Sequence, residues 1–124
     1  MTTIQTPIGF IGAGKMATAL AKGMVNGGIC DANSILFNDI SDASAAAFSS
    51  SLESPVRMTS IPELVNAANV VVLAIKPQFF EDVAPALEEA IDESTLLISI
   101  LPGLSISQLS LRLRTQRIVR VMPN

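Results

Sequence analysis

Three small residues at fixed spacing carry the clearest chemical signal: Gly12, Gly14 and Ala17, within Ile8-Gly9-Phe10-Ile11-Gly12-Ala13-Gly14-Lys15-Met16-Ala17. The apolar run before them reads as a buried strand, and an alanine-rich helical stretch follows at once. The first N–H groups of such a helix have no intrahelical acceptor, and the helix dipole makes that end attractive to anions. Gly12 permits the tight turn, Gly14 keeps a side chain out of the path of a pyrophosphate, and Ala17 lets the helix pack close to the strand. The pattern therefore points to dinucleotide binding by Ile11, Gly12, Ala13, Gly14, Lys15 and Met16. An ordinary strand–turn–helix shares the look, so other stretches have to decide.

Three further stretches fall at strand ends. Asn38-Asp39 follows the second strand, where a carboxylate accepts from both ribose hydroxyls and repels a 2′-phosphate. It also reads as an Asx turn into the next helix, and the two roles are compatible. If Asp39 points into the site, NADH is favoured; if Asn38 takes that place, NADPH remains open. Ala74-Ile75-Lys76-Pro77 ends the fourth strand, offering a backbone edge to a cofactor and a charge near phosphates or substrate. A solvated lysine followed by a helix-starting proline is the plainer reading. Ser99 to Gly103 and Met122 to Asn124 end the fifth and sixth strands, and on spacing alone they read as loop punctuation.

The elements that must hold these residues alternate along the chain. Helices are expected at Lys15 to Asn26, Ala43 to Ser51 behind Ser41, Pro62 to Ala68 behind the Ser60-x-x-Glu63 box, Phe79 to Ala90, and after Ser105 or Ser107 through Leu113. In the first helix Met16, Leu20 and Met24 share one face, with Ala17, Ala21 and Val25 beside them. Pro85 is expected to kink the fourth helix or to mark its start. Strands are expected at Ile8 to Ile11, Ile35 to Phe37, Val56 to Met58, Val70 to Ile75, Thr95 to Ile100 and Arg117 to Val121. The run Val70-Val71-Val72-Leu73-Ala74-Ile75 does not alternate, as suits a central parallel strand covered on both faces. The pattern predicts a Rossmann-type α/β fold: a doubly wound, mostly parallel sheet with helices on both faces and strand order 3-2-1-4-5-6.

Composition narrows the classes. The 124 residues fit one domain, and the hydrophobic fraction of 49% is too high for disorder. No apolar run is long enough to cross a bilayer, and no charged-then-apolar leader precedes the first strand, so neither a membrane anchor nor a signal peptide is expected. The lone Cys30 fits a reducing cytoplasm. Without His or a Cys cluster no metal site is expected. A net charge of −3 and the absence of Trp and Tyr argue against nucleic acid as a partner. Glu81, Asp82, Glu88, Glu89, Asp92 and Glu93 read as a wet helix face, and Arg112, Arg114, Arg117 and Arg120 as a solvated basic face.

Four blocks together, Ile8 to Ala17, Ala74 to Pro77, Ser99 to Gly103 and Arg120 to Asn124, resemble pyrroline-5-carboxylate reductase in residues, order and spacing. The resemblance implies hydride transfer from NADPH or NADH to the cyclic imine 1-pyrroline-5-carboxylate, the last step of proline biosynthesis. It implies cofactor contacts at Gly12 to Met16, Asn38-Asp39, Ile75-Lys76 and around Pro102, with Lys76 and Asn124 near the nicotinamide and substrate. Three departures stand out: Lys15 where Asn or Gln is frequent, Asp39 where Ser, Thr or Arg is frequent, and Pro102 before Gly103. The family continues past the Met-Pro-Asn block into a helical dimerisation domain that this sequence lacks, so residues 1–124 are expected to be the NAD(P)-binding half. A homo-oligomer is implied for the full-length family, and self-association is expected here from apolar surface left open. Two alternatives remain: another β-hydroxyacid-dehydrogenase-like or F420-dependent reductase domain, and a non-catalytic dinucleotide-binding module.

Overall fold

A computed structural model describes residues 6–122. At its centre, β1 (Ile8–Ile11) lies between β2 (Ile35–Asn38) and β4 (Val70–Leu73). With β3 (Val56–Arg57), β5 (Leu96–Ser99) and β6 (Ile118–Arg120) they form a six-stranded sheet of order β3-β2-β1-β4-β5-β6. Every neighbouring pair is parallel, as expected where each strand returns through a crossover.

Alternate side chains feed two cores. Ile8, Phe10, Ile35, Phe37, Val70 and Val72 face α1 (Lys15–Asn26) and α2 (Asp42–Ser51). Ile11, Leu36, Val71, Leu73 and Leu97 face α3 (Ile61–Ala67), α4 (Phe80–Ala90) and α5 (Ile106–Leu113). All of β1 and β4 is buried, which is why neither alternates in sequence. Phe48 of α2 is fully buried, with ring centroids 4.6 Å from Phe37 and 5.9 Å from Phe10. Gly9 leaves the opposite face of β1 bare: a Cβ there would sit 2.6 Å from Leu64 Cδ2, so its absence lets α3 press onto the strand.

β4 stops at Leu73 rather than Ile75, β5 and β6 are each one residue shorter at both ends than expected, and the elements depart from expectation in four further places. On α1 the sheet takes Ala17, Ala21 and Met24, while Met16 stays 46% exposed, because the small side chains permit the closest approach. Ser60 accepts from the Glu63 N–H at 3.2 Å, but the Glu63 carboxylate accepts from the Thr59 N–H, so the α3 box is displaced by one residue. The full reciprocal box occurs instead at Ser105 and Gln108 of α5. Pro85 lies inside α4, whose start is set by a 3₁₀ turn over Pro77–Phe79.

Candidate functional site

β1 is the switch point of the sheet: the chain leaves it towards β2 and later returns on its other side as β4. Loops at such a point diverge and leave a crevice at the carboxyl ends of the strands. Here a cleft of about 500 Å³ opens there, walled by Ile11, Gly12, Gly14, Asn38, Asp39, Ala74, Ile75 and Lys76 among others.

The two glycines act differently. Gly12 has φ +98°, and a Cβ would lie 2.8 Å from the backbone carbonyl of Ala74 and 2.9 Å from Ile75 N. Both its conformation and its contact with the β4 exit require glycine. Gly14 has extended backbone, φ −77°, and a Cβ there would meet nothing within 4 Å. Its missing side chain leaves open space in front of α1.

Helix caps reinforce the contrast. Ser41, Ser60 and Ser105 each accept an N–H from the first turn of α2, α3 and α5. Gly14 begins α1 with no side chain to do so. The first N–H groups of α1 thus stay available to an anion at the mouth of the cleft.

Asp39 closes the other side of the loop. Its Oδ2 accepts from the Ala13 N–H at 2.9 Å, and its Oδ1 accepts from the Ser41 N–H at 2.8 Å. The Asx turn and the position facing the glycine loop therefore occur together. Asn38 turns its amide away, donating to the Met58 carbonyl at 3.0 Å. Beside them Arg57 donates from Nη2 to the Asp39 carbonyl and to Asp42 Oδ1, both at 2.9 Å.

Other expected residues are placed less directly. Lys15, Met16 and Pro77 are exposed but not part of the cleft wall, and Ala13 is buried, presenting only backbone to Asp39. Pro102 is exposed in the turn after β5 and does not line the cleft. Asn124 lies outside the described residues. The cleft adds Ile40, Ser41, Ser44, Ile61, Phe79, Asp82 and Val83 to its walls. Two of these had a readable signal. Ile40 is a lone apolar residue in a polar turn and is 98% exposed, while in Phe79-Phe80 only Phe80 turns into the core.

Titratable groups shifted from their ordinary range lie away from the cleft. Burial, then Asp31, raises the Cys30 thiol. Hydrogen bonds from Ser94 lower Asp92. Glu81 and then Glu88 raise Arg112, which bonds them at 3.0 and 2.7 Å and ties α5 to α4.

The parallel sheet, its strand order and the cleft at its switch point define a Rossmann-type α/β domain. Residues 7–103 match the family described as NADP oxidoreductase, coenzyme F420-dependent, and the chain belongs to that family. It is 36% identical over 117 residues to a pyrroline-5-carboxylate reductase of Pisum sativum, covering 94% of this chain and 42% of the relative. Among solved structures it resembles the NADP-bound pyrroline carboxylate reductase of Plasmodium falciparum, with TM-score 0.82, 31% identity, and coverage of 99% of this chain and 44% of that one. The pyrroline-5-carboxylate reductase of Coxiella burnetii superposes with TM-score 0.84 at 29% identity, covering 98% of this chain and 45% of that one. The chain thus spans less than half the length of these relatives.

Proposed function

We propose that these residues form the coenzyme-binding portion of a pyrroline-5-carboxylate reductase. The observation that carries the reading is the cleft at the switch point, which gathers Ile11, Gly12, Gly14, Asp39 and Ala74 to Lys76 in front of an uncapped helix. NAD(P)H fits this arrangement: the open space at Gly14 admits a pyrophosphate, and the first N–H groups of α1 receive it. Lys15 and Lys76 add positive charge near that path, and Ile40 and Phe79 offer apolar walls for the adenine. When bound, the coenzyme would supply the hydride that an imine carbon accepts. Lys76 is proposed to lie near the nicotinamide and substrate, and Pro102 near the coenzyme's rim.

Rate in such a reaction depends on holding the imine carbon against the nicotinamide. Further enclosing residues, of the kind the longer relatives have room for, are proposed to supply that hold, and with them a homo-oligomeric assembly. The lone Cys30 supports a cytoplasmic setting. Among the described residues no helix is long and apolar enough to cross a membrane.

The test is a fluorescence titration of the 124-residue chain with NADH and NADPH, alongside an imine-reduction assay. Saturable binding with little turnover is expected. Absence of binding to either coenzyme refutes the reading, and full turnover refutes the need for further residues.

A further inference from the structure

We propose that this chain selects NADH over NADPH through the anchored carboxylate of Asp39, and that Asp42 adds to the choice by offsetting the charge of Arg57. The proposal rests on the coenzyme-binding reading above and adds which dinucleotide the site accepts. An ionised carboxylate has about four acceptor positions. Asp39 uses one on each oxygen, for Ala13 N–H and Ser41 N–H. One remains on each oxygen, matching the two hydroxyls of an adenosine ribose at the end of β2. The same anchoring works against a 2′-phosphate. To leave its path, Asp39 would have to surrender both backbone donors, one of which shapes the glycine loop itself.

A competing feature stands beside it. Arg57 lies at the end of β3, bonded to the Asp39 carbonyl, and an arginine near this strand end is the usual partner of a 2′-phosphate. Its Nη2 is shared between that carbonyl and Asp42 Oδ1, both at 2.9 Å, so Asp42 partly offsets its charge while the other guanidinium N–H groups have no bond to Asp42. The charges of Asp39, Asp42 and Arg57 sum to a single negative charge where NADPH would bring a phosphate. That pair is exposed, at 43% and 91% of the side chains, so it holds Arg57 only weakly by itself. The anchored Asp39 is the principal barrier and Asp42 the secondary one. Removing Asp42 alone should therefore help NADPH without touching the ribose contacts that NADH uses.

Dissociation constants for both coenzymes, at low ionic strength, decide the matter. The wild-type chain should bind NADH at least about tenfold more tightly, the ratio that 1.4 kcal/mol produces. Asp42→Ala should tighten NADPH several-fold and leave NADH nearly unchanged, and adding Arg57→Ala should cancel that gain. Asp39→Ser should move the ratio further towards NADPH, with circular dichroism confirming the fold. Because Asp42 is exposed, its variant tests the idea even if Asp39→Ser unfolds. Wild-type binding of NADPH as tight as NADH overturns the selection, and an Asp42→Ala effect equal on both coenzymes overturns the role of Arg57. Failure to bind either coenzyme would instead bring down the coenzyme-binding reading together with this one.

Discussion

Replacing Gly14 by valine separates binding from folding in a way the structure makes quantitative. The backbone at Gly14, φ −77° and ψ −165°, is open to any L-residue, and a Cβ would contact nothing within 4 Å. Restricting the unfolded chain favours the variant by about 0.4–1 kcal/mol, while a branched residue at a helix start costs a few tenths to about 1 kcal/mol. The two nearly cancel, so the melting temperature should scarcely move. Binding should respond differently. The valine branches project into the space proposed for the pyrophosphate, in front of the free N–H groups of α1. Hydrogen bonds to a charged group are worth about 1.5–3 kcal/mol each, so losing even one should weaken NADH by at least about tenfold. Gly12→Ala is the opposite case, because φ +98° and a 2.8 Å approach to the Ala74 carbonyl make it a folding lesion first. Thermal melts by circular dichroism and coenzyme titration on both variants suffice. A folded Gly14→Val that binds NADH like wild type would refute the placement of the pyrophosphate.

Two other expectations concern the fold. Phe48→Ala should cost about 3–5 kcal/mol, read as a lower urea midpoint, since the ring is fully buried between Phe10 and Phe37; a loss below about 1 kcal/mol would mean that the site collapses around the cavity. Cys30 should alkylate more slowly than a free thiol at pH 8, because burial and the adjacent Asp31 keep it protonated there, and the rate should recover as pH rises. Alkylation as fast as that of a free thiol at pH 8 would contradict that reading.

What was legible in the sequence was whatever depends on local spacing. Val70 to Leu73 shows burial on both faces by its lack of alternation, and Ser41 announces the start of α2. Spacing alone expects Asp39 at a ribose-binding strand end, but its bond to Ala13 joins segments far apart in the chain and has no local signature. The same limit hid the role of Arg112. As one of several arginines near the chain's end it reads as solvated, yet it pairs with Glu81 and Glu88 across α4 and α5. Helical periodicity offered two stripes on α1, and only contact with the sheet selected Ala17 and Ala21 over Met16. Ile40 and Phe79 were missed because apolar patterns report cores, whereas these two face an open cleft.

The all-parallel order of the sheet also governs how the chain must fold. Ile8 pairs with Val70 across an intervening stretch of chain that carries β2 and β3. Closing that loop costs entropy before any contact repays it, so folding should be slow beside a helical protein of equal length. Until it closes, β1 has one bare edge and Val70-Val71-Val72-Leu73 is an unpaired apolar segment of the kind that seeks another chain. A strand buried along its whole length in the finished molecule is thus open to aggregation while it forms, and refolding yield should fall steeply as protein concentration rises.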